Sequence, residues 1–148
     1  MNLEVSQLVA TFRNILHVYS ILEKKPMDLG VGTRVYLTEI QTVSMIADNP
    51  GINITNLAEI MGVTRGAISQ TVQKLAKKNL ITRSRERNKK EINLGITPIG
   101  KKARDEFNSR MKDIFTFAED LYNEASEDDR LVAKRLFDAI YQNLRAKI

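Results

Sequence analysis

Residues 53–75 of the chain read NITNLAEIMGVTRGAISQTVQKL, and this stretch decides the fold. It predicts a short helix, a tight turn at Gly62 and a second helix whose outward face is small, polar and basic. Leu80-Ile81 and a loop rich in arginine and lysine follow directly. Two helices in this relation, with a basic flap behind them, suit the DNA major groove and an adjacent phosphate strand.

The composition is that of a soluble domain with a core, with or without an oligomerisation arm. Of the 148 residues 43% are apolar and none is cysteine, which excludes disulfides, thiol catalysis and cysteine redox sensing. No apolar run approaches the ~18 residues that a membrane span needs. The first residues carry no basic signal-peptide region. We therefore expect a cytoplasmic protein without a membrane partner.

The positive charge is concentrated in one segment. Between Gly62 and Arg104 lie twelve basic and two acidic residues, a net charge of +10, whereas the remainder of the chain carries −5. Such a partition is unfavourable through self-repulsion unless a polyanion is the partner. Because the segment overlaps the predicted helix pair, DNA is favoured over a merely solvated basic surface. The segment is not one amphipathic helix with bulky apolar wedges, which disfavours a membrane surface.

The elements around the helix pair follow from apolar periodicity and capping residues. Before the pair we predict a helix over 3–23, a loop with Gly30 and Gly32, and a helix opened by a Thr38-x-x-Gln41 capping box. The two helices of the pair are capped by Thr55 and Thr64, and a ribbon of 81–83 and 92–96 with a tip at 84–90 follows them. A long helix begun by Thr97-Pro98 and a last helix capped by Ser126 complete the chain. The long helix would span roughly 39 Å. The central module cannot cover that length, so a dimer is favoured over a monomeric helical layer.

The second helix of the pair has two different faces at ~100° of rotation per residue. The inner stripe is Ile68, Val72 and Leu75, with Leu57, Ala58 and Val63 as expected partners. The residues expected to contact DNA, on the outer face and in the loop behind it, are Thr64, Arg65, Gly66, Ser69, Gln70, Gln73, Lys74, Arg83, Arg85, Arg87, Lys89 and Lys90. Glutamine can pair with adenine and arginine with guanine, although the same residue types are common on solvated helices.

The order of elements, with LAEIMGVTRGAISQTVQKLAKKNLI at 57–81 and GITPIGKKA at 95–103, resembles the MarR family of winged helix-turn-helix transcriptional regulators. The resemblance covers essentially the whole chain as a single unit, 1–148. It implies a mainly α fold with a small β-wing, in which a winged helix-turn-helix module over 34–97 is flanked by dimerisation helices over 1–25 and 98–148. It also implies a homodimer with recognition helix 64–78 in the major groove and wing 84–90 at the neighbouring minor groove.

The wing departs from the family pattern, in which an acid precedes the arginines and helps to position one of them. Asn88-Lys89-Lys90 stands at the matching place, preceded by Arg85-Glu86-Arg87. The arginine that enters the minor groove is therefore either Arg85 or Arg87. Lysine reads the minor groove less well because its ammonium is more strongly hydrated.

The family resemblance also implies a small aromatic or phenolic effector, bound between the dimer helices and the DNA-reading module. The candidate lining residues, chosen by placement alone, are His17, Tyr36, Met45 and Phe115. An ordinary core or interface position is favoured over a ligand contact for these side chains. A single histidine and no cysteine disfavour the metal-sensing and thiol-sensing members, and no cofactor is predicted.

An enzyme is not indicated, because the chain has no glycine-rich phosphate loop, nucleophile elbow or histidine-rich metal spacing. Two hypotheses remain. The first is a sequence-specific double-stranded DNA-binding regulator, acting as a dimeric repressor on a pseudo-palindromic operator. The alternative is a winged-helix interaction module that binds RNA or an acidic protein. The RNA version predicts a preference for shape or single strands, since A-form RNA hides its major groove.

Overall fold

The computed structural model describes residues 3–85 and 91–147, without the side chains of residues 114 and 115. The described residues form six helices and four short strands: α1 (Leu3–Lys24), β1 (Met27–Asp28), β2 (Arg34–Val35), α2 (Leu37–Asp48), α3 (Ile54–Met61), α4 (Arg65–Lys77), β3 (Ile81–Arg85), β4 (Ile92–Ile96), α5 (Pro98–Glu124) and α6 (Glu127–Arg145). The predicted mainly helical fold with a small β-wing is confirmed. The chain divides into two compact units, Met1–Asn108 and Ser109–Ile148.

The core of the first unit is built from α2, α3, α4, the wing strands and the start of α5. Helix α2 buries apolar residues at a helical spacing of three, namely Leu37, Ile40, Val43 and Ile46. The apolar side chains at or below 1% exposure elsewhere are Leu29, Val35, Leu57, Val72, Leu75, Leu80, Leu94 and Ala103. This shared core holds the helix pair and the base of the wing together.

The segment between α1 and α2 contains a short hairpin where the sequence predicted only a loop. Strands β1 and β2 pair antiparallel, with Met27 opposite Val35 and Asp28 opposite Arg34. Two-residue strands are too short to show the alternating pattern from which a strand is recognised.

The wing is an antiparallel pair, as predicted. Strands β3 and β4 run in register from Ile81 opposite Ile96 to Arg85 opposite Ile92. Strand β3 therefore extends further than expected, and Arg85 lies in a strand and not in the hairpin tip. Residues 86–90, which include the rest of the predicted tip, lie outside the described residues.

The start of α2 differs from the sequence prediction. Its N-cap is Tyr36, whose N–H donates to the Glu39 carboxylate at 2.8 Å, so the helix does not open with the predicted box of Thr38 and Gln41. Tyr36 directly follows β2, and the strand determines where the helix begins.

The start of α3 also differs. Asn53 caps this helix, with its side-chain oxygen accepting the N–H of Asn56 at 2.8 Å, whereas Thr55 was predicted. Asn53 also forms a β-bridge with Asn93 of β4. This pairing with a distant strand holds Asn53 at the start of α3. The local sequence pattern carries no sign of the pairing.

The predicted caps of the last two helices are confirmed. The Thr97 hydroxyl accepts the N–H of Gly100 at 2.9 Å, and Pro98 is the first residue of α5. The Ser126 hydroxyl accepts the N–H of Asp129 at 3.1 Å at the start of α6. Across the residues described, none of the helices is both long enough and apolar enough to cross a membrane.

Helices α1 and α6 each carry a long apolar face that the chain leaves accessible. None of their residues is buried. Exposed apolar side chains on α1 include Leu8, Val9, Ile15, Leu16, Tyr19 and Leu22, and those on α6 include Val132, Leu136, Phe137, Tyr141 and Leu144. Faces of this length on soluble proteins mark sites of association.

Candidate nucleic-acid interface

The turn between α3 and α4 is made by Gly62, whose φ of +66° lies in the left-handed region that favours glycine. Its N–H donates to the carbonyl of Glu59 at 3.1 Å, which ends α3. Thr64 then caps α4, its hydroxyl accepting the N–H of Ala67 at 3.2 Å. The predicted turn residue and the predicted cap are both confirmed.

The inner face of α4 packs as its periodicity predicted. Ile68, Val72 and Leu75 are at most 2% exposed. Two of the three expected partners, Leu57 and Ala58, are buried with them, but Val63 is 45% exposed and the prediction for it was wrong. Val63 stands in the turn after the left-handed glycine, which directs it away from the core. The buried stripe fixes which side of α4 faces outward.

The outer face of α4 is polar and accessible. Of the seven residues at 64–74 that were predicted to contact DNA, Ser69 is half-buried and six are exposed, namely Thr64, Arg65, Gly66, Gln70, Gln73 and Lys74. Within the part of the chain that the structure describes, no hydrogen bond or ion pair engages the side chains of Arg65, Gln70, Gln73 or Lys74. Their donors and acceptors are therefore available to a ligand.

Gly66 lies in the first turn of α4 with open space around it, since a Cβ built there meets no atom within 4 Å. We expect Gly66→Ala to raise the free energy of unfolding by about 0.5–1 kcal/mol, because alanine is the better helix former. If the base edges approach this backbone, the methyl group keeps them away, and affinity for a specific duplex falls by about tenfold, the value of one base contact. Urea unfolding measures the stability, and a binding titration on the same preparation measures the affinity. A stabilised variant with unchanged affinity would show that Gly66 does not lie at the interface with DNA.

The wing contributes two described arginines to the same module. Arg83 and Arg85 are exposed and stand two residues apart in β3, so their side chains leave the same face of the ribbon. Arg87, Lys89 and Lys90 lie outside the described residues. The choice between Arg85 and Arg87 for the minor groove stays open, with Arg85 at the last residue of the strand.

The base of the wing is joined to the helix pair by residues that the sequence did not single out. On the edge away from β3, strand β4 pairs with the chain before α3. The N–H of Gly51 donates to the Leu94 carbonyl at 3.1 Å, and the N–H of Leu94 donates to the Ile52 carbonyl at 2.9 Å. The Asn53 amide donates to the Glu91 carboxylate at 2.9 Å. Asparagine before a helix is a capping signal, so Asn53 could have been predicted; its partner 38 residues away could not.

The other end of α4 is held by a partly buried ion pair. Lys78, the C-cap residue, places its ammonium 2.7 and 2.8 Å from the two carboxylate oxygens of Glu39, which is 5% exposed. The same ammonium donates to the carbonyl of Arg34 at 2.8 Å and lies 5.5 Å from the centre of the Tyr36 ring. The sequence does not predict this pair, since no local pattern relates two residues 39 positions apart.

Comparison with known proteins identifies the family. A MarR family model matches residues 35–92. The uncharacterized HTH-type transcriptional regulator YhjH of Bacillus subtilis (strain 168) is 32% identical over 120 residues, which are 78% of this chain and 67% of YhjH. The chain belongs to the MarR family. It is accordingly a DNA-binding transcriptional regulator, and the alternative of an RNA-binding or protein-binding module is not supported.

Solved MarR-family structures share the fold at low sequence identity. FabT of Streptococcus pneumoniae, crystallised in complex with DNA, superposes with a TM-score of 0.66 at 20% identity, covering 97% of this chain and 96% of FabT. ZitR of Lactococcus lactis in complex with DNA gives a TM-score of 0.70 at 14% identity, covering 97% of this chain and 99% of ZitR. Nearly the whole chain thus has the MarR architecture.

The four candidate effector residues, which were chosen by placement, do not form one described site. His17 is exposed on α1, Met45 packs against the core, and the side chain of Phe115 is not described. Tyr36 lines a depression with Glu23, Thr38, Glu39, Thr71 and Lys74. Within residues 3–85 and 91–147, no three His, Cys, Asp or Glu side chains are grouped so as to hold a metal ion.

Proposed function

We propose that this MarR-family protein is a homodimeric repressor that recognises a pseudo-palindromic operator. In each copy the recognition helix, 64–78, lies in the major groove and the wing, 84–90, reaches the adjacent minor groove. The observation that supports this most strongly is the outer face of α4, where accessible donors and acceptors without intramolecular partners stand on a helix whose opposite face is buried. This role requires neither catalysis nor a cofactor, and it places the protein in the cytoplasm with its DNA.

The proposed dimer rests on the apolar faces of α1 and α6. Large side chains along both helices, such as Ile15 at 58% and Val132 at 64%, are exposed in the single chain. Covering them with a second copy removes apolar area from water, at about 25 cal/mol per Å². A two-fold axis would present two recognition helices to half-sites about 34 Å apart, which a palindromic operator provides. A small aromatic or phenolic effector at the depression beside Tyr36 is a secondary proposal.

The decisive experiment is a titration of the DNA that flanks the protein's own reading frame against random duplex of equal length. Footprinting first locates the protected sequence. Both duplexes are then titrated at several salt concentrations, because the phosphate contribution to affinity depends on salt and the base contribution does so far less. Preference for the protected fragment at every salt concentration is expected; equal affinities for both duplexes would refute sequence-specific recognition.

We expect Arg85→Ala to weaken binding to both duplexes alike, because a wing arginine contacts the sugar-phosphate backbone or the narrow minor groove around it. The slope of log affinity against log salt should flatten by about 0.9 for one lost phosphate contact. Arg135→Ala is the matched control, since it removes the same charge from an exposed position on α6. A slope that changes equally in both variants would show that Arg85 acts only through the net charge.

A further inference from the structure

The Glu39–Lys78 ion pair sets Lys78 apart from the other two lysines of the recognition helix. By position Lys78 belongs with Lys74 and Lys77 at the end of the recognition helix, and charge alone would assign all three to the DNA backbone. The structure separates them: Lys77 is exposed, whereas the Lys78 side chain is only 22% exposed and points into the protein.

The ammonium of Lys78 has no donor left for a phosphate. Lysine carries three N–H donors, and three acceptors surround this one, namely the two oxygens of Glu39 at 2.8 and 2.7 Å and the carbonyl of Arg34 at 2.8 Å. Turning Lys78 toward DNA would leave the carboxylate of Glu39, which is 5% exposed, without its counter-charge. A buried carboxylate without a partner is strongly unfavourable.

The carboxylate of Glu39 joins three parts of the module at one point. It accepts the N–H of Tyr36 at 2.8 Å, which ties it to the first turn of α2. Through Lys78 it also holds the carbonyl of Arg34 at the start of β2 and the C-terminus of α4. The Thr64 cap at the other end of α4 is a bond within the first turn of that helix. The ion pair therefore ties the C-terminal end of the recognition helix to α2 and β2.

We infer that Glu39 and Lys78 are positioning residues for sequence recognition, which orient α4 in the groove without contacting DNA. This inference rests on the proposed function of α4. Base readout needs several side chains of α4 to meet base edges at once, so it depends on the direction of the helix. Non-specific binding depends on exposed cations near phosphates and is insensitive to that direction. Loosening one end of α4 therefore lowers discrimination and leaves the salt slope unchanged.

The test compares Lys78→Met with Lys77→Met, which removes the same charge from the neighbouring exposed position. Affinities for the operator fragment and for random duplex are measured at four or more salt concentrations. Lys78→Met is expected to lower operator affinity by about tenfold, the value of one base contact, with random-duplex affinity and salt slope unchanged. Lys77→Met should leave the ratio of the two affinities unchanged. Lys78→Arg, which keeps the charge and can still pair with Glu39, should retain most of the discrimination.

Two results would overturn the inference. If Lys78→Met weakens both duplexes alike and flattens the salt slope by about 0.9, Lys78 is a phosphate contact. If it leaves discrimination intact while lowering the urea midpoint, the pair only stabilises the fold. Should Lys78→Met fail to fold, Glu39→Gln, which keeps an acceptor oxygen in place, undergoes the same comparison and decides between the same outcomes. A wild-type protein that binds both duplexes equally refutes the proposed function itself and is recognised before any variant is made.

Discussion

Gly100→Ala is expected to lower the free energy of unfolding by about 3 kcal/mol, as for a substitution that overfills a rigid site. A Cβ at position 100 would lie 2.9 Å from the carbonyl carbon of Leu80 and closer still to its oxygen. That carbonyl cannot retreat easily, because it accepts the N–H of Thr97 at 3.1 Å and the Leu80 side chain is fully buried. The first turn of α5 would have to move away from the wing. Urea unfolding of the variant measures the effect.

The matched control for Gly100→Ala is Gly66→Ala. Both substitutions add one methyl group in the first turn of a helix, but only position 100 has backbone atoms in the way. We therefore expect opposite signs, a loss of stability at 100 and a gain at 66. Equal stability of the two variants would contradict the close approach of α5 to Leu80. The Gly100 variant should also bind DNA less well, since Leu80 links α4 to β3.

Replacing Gln70 and Gln73 together with alanine is expected to lower the preference for the operator strongly. Both side chains are exposed on the outer face of α4, and each can make two hydrogen bonds to adenine. A well-formed bidentate pair contributes about 1–3 kcal/mol of discrimination, so the double variant should lose at least roughly thirtyfold in the affinity ratio of operator to random duplex. Random-duplex affinity and the salt slope should stay the same, because neither side chain is charged.

The control for the glutamine pair is Gln142→Ala, which removes an exposed glutamine from α6. It should leave the affinity ratio unchanged. Operators in which individual A·T pairs are replaced refine the test. At the positions that the glutamines read, the replacement should lower the affinity of the wild type and leave the affinity of the double variant unchanged. If the double variant still discriminates as the wild type does, the recognition helix does not read the operator through this face.

The expected interface thus has two parts with different functions. One part is the two arginines of β3, and the other is the two glutamines of α4. Substitutions of the wing arginines should change affinity for all duplexes together with the salt slope, and substitutions of the uncharged side chains on α4 should change only the preference among duplexes. The Glu39–Lys78 pair falls in the second class although Lys78 is charged, because its ammonium is occupied inside the protein. Charge by itself therefore does not tell which role a residue has.

Much of the module follows from short-range signals in the chain. The turn at Gly62, the caps Thr64 and Ser126, and the buried stripe of α4 were all predicted correctly. Each depends on neighbours within one helical turn, where backbone geometry brings the same residues together in any fold. The accessible outer face of α4 follows equally, because it is the side opposite the apolar stripe.

The remaining features depend on contacts between residues far apart in the chain. Asn53 replaces Thr55 as a cap because a strand forty residues later pairs with it, and Val63 is exposed because of the direction in which the turn leaves α3. Lys78 points inward because Glu39 is buried beside it. Spacing along the chain carries no record of such pairs, since the packing of the core brings them together. The helix that we propose to meet the DNA is thus apparent from local pattern, whereas the long-range contacts that hold it in place arise only when the chain has folded.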